Sequence, residues 1–205
     1  LPDEFRLPVA MFIASKALVF TVSAAAHTFN PVSQDWHRFL FACDWSAIVV
    51  AIWGSVVTLS HFAFFCHLGK QQLYFSTFTF FSAVLFATAN TPWFSRLSGP
   101  RRLAAILLPA PVLLAFLVDL RLTLPAAELA VFLSDMACPA SLAVGGLTLF
   151  ALRAPERWAP GRFDLIGNHH TFHHIWTVVY AVMVLRNVVG WVEWRAGPDV
   201  CISLQ

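Results

Sequence analysis

Ser23 and His27 stand four residues apart in TVSAAAHTF, Asp44 lies in FACDWSAI, and His169, His170, His173 and His174 crowd into GNHHTFHHIW. Two histidines at i and i+4 share one face of a helix and can chelate one metal ion. A third imidazole from another helix gives the three-ligand shell of many catalytic zinc sites, whose fourth position is left to water. Bound zinc lowers the pKa of water from 15.7 toward about 7 and polarises a carbonyl. His27 is the candidate third ligand, Asp44 the candidate general base, and Ser23 a group that orients a ligand or the oxyanion. Taken singly, His27 reads as a helix-packing histidine and Asp44 as the partner of a nearby hydroxyl. Two i, i+4 pairs compete, His170 with His174 and His169 with His173. Neighbouring positions are rotated by about 100° on a helix, so one pair alone faces a given metal, and spacing does not say which.

The elements that carry these residues follow from hydropathy. The 205 residues are 59% hydrophobic and 12% charged, about half the charge of a soluble globular domain. A spanning helix needs about 20 mostly apolar residues. Six segments qualify, at about 7–29, 38–64, 73–91, 103–120, 125–152 and 169–192. The reading is an all-α polytopic membrane helix bundle, a single membrane domain over residues 1–205. Spans alternate in direction, so the end of the first, the start of the second and the start of the sixth share one side. Ser23, His27, Asp44 and the four histidines therefore fall at similar depth although more than 120 residues of sequence separate them. Ionisable groups inside a membrane are costly and point to function by default, and together they favour the metal reading.

The loops on that side and their edges carry Arg38, Arg96, Arg101, Arg102, Arg153, Arg157 and Arg162, against Arg6, Lys70, Arg121 and Arg195 on the other, with Arg186 near it. The arginine-rich side is expected to be cytosolic. Lys16 and Asp135 sit about ten residues into two inward-running helices. A direct pair is one expectation for them, and a carbonyl, hydroxyl or water for each is the other. The net charge of +2 without a basic run excludes a nucleic-acid partner. Cys43, Cys66, Cys138 and Cys201 form no CxxC pair, so a thiolate metal site is not expected. Cys43 and Cys138 read as small buried hydrophobes. HTFHH is like one box of the diiron desaturases, but the other histidines, His27, His37, His61 and His67, form no second box. A bis-histidine haem would leave Asp44 and the second chelating histidine without a role.

The run PERWAPGRFDLIGNHHTFHHIW at 155–176, with SAAAH at 23–27 and DWSAI at 44–48, resembles the progestin and adiponectin Q receptor family, which includes the hemolysin III-related proteins. The likeness extends from Leu7 to about Val189. It implies a zinc site with His27, His170 and His174 as ligands, Asp44 beside the zinc-bound water, and Ser23 as the family serine. It thereby resolves the register toward His170 and His174. It further implies seven helices and a cytosolic N-terminus, so a helix preceding Leu1 is expected in the parent protein. His169 and Thr171 stand where the family usually has Ser and Gln, and Trp45 and Ala47 where it has Tyr and Gly. The function so implied is a zinc-dependent hydrolase of a lipid amide such as ceramide, coupled to receptor-like signalling, with a lipid held in the bilayer. A receptor or scaffold with a structural zinc is the second reading, and a haem or electron-transfer protein the third.

Overall fold

The computed structural model describes residues 1–29, 31–163, 166–197 and 201. Asn30, half of the expected Asn30–Pro31 break, and Asp164 of the family-like run lie outside the described residues. The helices are α1 (Asp3–Phe29), α2 (Gln34–Ala63), α3 (Leu68–Ala89), α4 (Pro92–Ser95), α5 (Gly99–Ile106), α6 (Ala110–Thr123), α7 (Ala126–Leu152) and α8 (His169–Arg195). Among the described residues there is no strand. Five helices, α1, α2, α3, α7 and α8, are long and apolar enough to cross a membrane. The chain is an all-α, integral, multi-pass membrane protein.

The expected helix at 103–120 is divided into α5 and α6 by a turn at 107–109. Pro109 and Pro111 lack the N–H donors a continuous helix would need, and each disfavours helical backbone in the residue before it. Pro111 falls in the first turn of α6, where the missing donor has no intrahelical partner in any case. Pro139 is accommodated inside α7. Its missing N–H frees the carbonyl of Asp135, and the Asn187 side-chain amide donates to that oxygen at 2.6 Å, the kind of compensation by a neighbouring helix that lets membrane helices keep their prolines. α2 begins earlier than hydropathy alone suggests because Ser33 caps it, its hydroxyl accepting from the Trp36 N–H at 3.2 Å.

The chain forms two compact units, Leu1–Leu122 with Val192–Gln205, and Thr123–Trp191. In the first, α1 and α2 approach closely at Gly54, where an added Cβ would lie 2.2 Å from Ser15 Oγ. The Lys16 ammonium donates to Ala51 O at 2.7 Å and Ser55 Oγ at 2.6 Å, and Thr58 Oγ1 donates to Pro8 O at 2.9 Å. Tyr74 stacks on Phe64 and meets Phe116 edge-on, Phe78 packs edge-on against Phe116, and the Tyr74 hydroxyl donates to Asp119 of the Lys70–Asp119 ion pair at 3.1 Å. A disulfide joins Cys66 to Cys201, a pairing across 135 residues that spacing gave no means to foresee.

In the second unit, Trp191 stacks on Phe132 at 4.5 Å and donates to Asp135 Oδ2 at 2.8 Å. Lys16 and Asp135 thus each find carbonyl, hydroxyl or indole partners inside their own unit. Cys43 is half-buried, while Cys138 is exposed rather than buried as its apolar surroundings suggested.

Candidate metal centre

The first unit presents Ser23, His27 and Asp44. Ser23 and Asp44 are buried, at 8% and 7% exposure. They are held by the adjacent helices α1 and α2, with the Ser23 hydroxyl close to the Asp44 carboxyl group. Asp44 also lies within electrostatic reach of His27. Its Oδ1 is buried and has no hydrogen-bond partner among the described residues. Buried polar atoms are nearly always paired, which makes Oδ1 the acceptor this half has to offer. The His27 ring meets the Phe41 ring edge-on at 5.7 Å, and Phe41 in turn packs on His37 at 4.5 Å.

The second unit presents the histidine cluster, and its packing fixes the rotation of α8. Gly145 and Gly146 leave a slot on α7 that Trp176 fills; a Cβ at Gly145 would lie 2.4 Å from the indole. Two residues before that anchor, on the same turn, is His174. At the helix start, Glu156 Oε2 accepts from the His169 backbone N–H at 2.9 Å, and Glu156 Oε1 pairs with the His169 imidazole. Asn168 Oδ1 accepts from the Thr171 N–H at 2.9 Å, capping the first turn.

These contacts distinguish the two pairs that spacing left equivalent. His169 is engaged by Glu156, and the His169 and His173 rings lie 5.2 and 5.1 Å from the Phe150 ring of α7, so both turn toward α7 and the preceding loop. His170 and His174 lie on the adjacent face, their ring centroids 4.7 Å apart, both half-buried. That is the arrangement a two-imidazole chelate requires. The roles of Glu156 and of the Gly145–Gly146 slot were missed in the sequence. The Pro-Glu-Arg run was visible as a motif, but nothing in it told which residue the carboxylate would hold.

Residues 2–185 match the family model described as Haemolysin-III related. The chain belongs to that family. Among haemolysin-III related and kindred proteins it is 28% identical over 207 residues to the adiponectin receptor protein of Drosophila melanogaster, covering 96% of this chain and 45% of that one. It is 28% identical over 196 residues to the heptahelical transmembrane protein ADIPOR2 of Oryza sativa subsp. japonica, 93% and 84% of the two chains. It is 23% identical over 202 residues to membrane progestin receptor gamma of Homo sapiens, 91% and 59%. The chain thus spans about half the length of the fly and human relatives and most of the rice one. The family expected from the His, Asp and Pro-Glu-Arg segments is the family found.

Proposed function

We propose that this haemolysin-III related protein is a zinc-dependent membrane hydrolase of lipid amides, with His27, His170 and His174 as the donor set for one zinc ion. The chemistry of the donors fits: three neutral imidazoles bind zinc and leave a position open. The observation that carries the reading is the buried, unpartnered Asp44 Oδ1. A structural zinc closed by four ligands has no use for such an acceptor, whereas hydrolysis needs one to take a proton from water.

Zinc, when bound, supplies Lewis acidity that lowers the pKa of water and polarises an amide carbonyl. Asp44 Oδ1 accepts the proton of the attacking water and returns it to the nitrogen of the leaving amine. Water and amide are converted to acid and amine with no other reactant. Ser23, close to the carboxylate, is the group that orients it so that Oδ1 stays available to water. Glu156 and the Trp176 slot hold the rotation of α8, which keeps the face shared by His170 and His174 distinct from the one packed on α7. The substrate enters from the bilayer, where a lipid amide is already concentrated.

The test is metal analysis of the purified protein combined with turnover of a ceramide in detergent. Asp44→Asn retains zinc and lowers the rate by roughly 10²–10⁴, as loss of a general base does. Full turnover by Asp44→Asn would refute the assignment. A second reading, a receptor in which the metal is structural, is favoured by the names of the fly and human relatives. Under it the wild-type protein holds zinc and turns over no lipid amide.

A further inference from the structure

Away from the histidines, at the opposite ends of α1 and α2, the first unit contains a groove of about 220 Å³. Its buried floor is Pro8, Val57 and Ser60, and its exposed rims include Leu7 on α1 and Phe75 on α3. Polarity changes along it. Toward the helix ends lie His61, Gln71 and Gln72; one turn deeper lie Met11, Val57 and Phe75, with Ser76 beside them. The Gln71 amide nitrogen is committed to His61 O at 3.0 Å and Phe65 O at 3.3 Å, which leaves its oxygen as an acceptor. The His61 Nε2 is buried with no hydrogen-bond partner among the described residues, a state that asks for a ligand's hydroxyl or amide.

The charge of the occupant follows from the surroundings. Among the described residues no lysine or arginine lines the groove. Arg6 is paired with Asp3 at 2.8 Å, Lys70 with Asp119, and Arg195 stacks on Phe65 and Trp194. The charge that reaches His61 is the carboxylate of Glu4, which repels an anion. The side of the membrane follows from the disulfide. Cys66 lies five residues beyond His61, and its bond to Cys201 belongs to an oxidising compartment. The groove is small and open along its rims. It therefore takes a head group and the first carbons of a chain, and the rest of the chain passes between the rims into the bilayer.

We propose that this groove is a second lipid site, facing the exoplasmic leaflet, for a neutral single-chain amphiphile whose head carries hydroxyl groups, as a monoacylglycerol does. It is independent of the metal reading. The test uses the full chain in phosphatidylcholine nanodiscs, photolabelled by monooleoylglycerol with a diazirine beside the glycerol. The expected label falls within residues 57–76 and is displaced by unlabelled monooleoylglycerol. Ser76→Trp, which fills the groove, abolishes it. His61→Phe and Gln72→Leu each weaken it by about two- to tenfold, the worth of one hydrogen bond. The thermal midpoints of these variants without probe match the wild type; Gln72 is exposed, so its variant tests the head contact should Ser76→Trp unfold the protein. Labelling unchanged by both Ser76→Trp and Gln72→Leu, label elsewhere in the chain, or equal labelling by an ionised oleate probe would overturn the proposal.

Discussion

Replacing Gly54 with alanine tests how closely α1 and α2 are held. The new Cβ would lie 2.2 Å from Ser15 Oγ, 2.6 Å from Ser15 Cβ and 3.2 Å from the Met11 carbonyl oxygen. Turning the Ser15 hydroxyl away relieves the first clash and not the second, because Ser15 Cβ is fixed to the backbone. Ordinary contact begins at 3.4 Å, so the helices must part locally by about 0.8 Å. Overpacking of this kind costs about 1–3 kcal/mol. The same parting lengthens the Lys16 bonds to Ala51 O and Ser55 and the Thr58 bond to Pro8 O, which are worth about 1 kcal/mol each and more where the donor is charged. A total loss of about 2–4 kcal/mol follows. Denaturant titration of the refolded protein in mixed micelles reads it, and the double variant Ser15→Gly, Gly54→Ala recovers most of the loss as coupling energy. Wild-type stability of Gly54→Ala, or no recovery in the double variant, would refute the close-approach argument.

His170→Ala and His174→Ala each release the metal, whereas His169→Ala and His173→Ala retain it, since the latter pair is engaged by Glu156 and packed on Phe150; metal content after dialysis checks this. The Cys66–Cys201 bond requires an even number of crossings between its ends. α3, α7 and α8 supply three, so α5 and α6 together are expected to make a broken fourth. With Cys43 and Cys138 replaced, a cysteine at Ser98 is expected to label from the cytosol and one at Leu122 from outside; labelling of both from one side contradicts it. Desolvation acts to raise the Glu156 pKa, but hydrogen bonds from its own backbone and from the His169 N–H and imidazole, with the charge of that ring, outweigh it and hold the carboxyl below its ordinary 4.5. A depressed folded pKa means the stabilisation is complete above 4.5 and is lost as pH falls through the lowered value. Glu156→Gln therefore flattens the acid limb of the stability–pH curve below that point.

Hydropathy by itself located α1, α2, α3, α7 and α8 because a membrane helix is specified locally. Its residues must be apolar along about 30 Å, and its backbone satisfies itself. Alternation of direction gave the expectation that Ser23, His27, Asp44 and the histidines lie in one layer, and the residue types suggested a metal ligand set. Three things depended on contacts between elements distant in sequence. The prolines at 109 and 111 resemble that at 139 in an apolar run, yet the first two divide a helix and the third does not, because Asn187 of α8 reaches the carbonyl that Pro139 leaves free. The pairing of Cys66 with Cys201 depends on which turn meets the chain after α8. The choice between two histidine pairs at identical spacing depends on the rotation of α8, set by Trp176 against Gly145 and Gly146 and by Glu156 at the helix start. Spacing fixes which residues share a face of a helix; only the neighbour packed against it decides which face is turned inward.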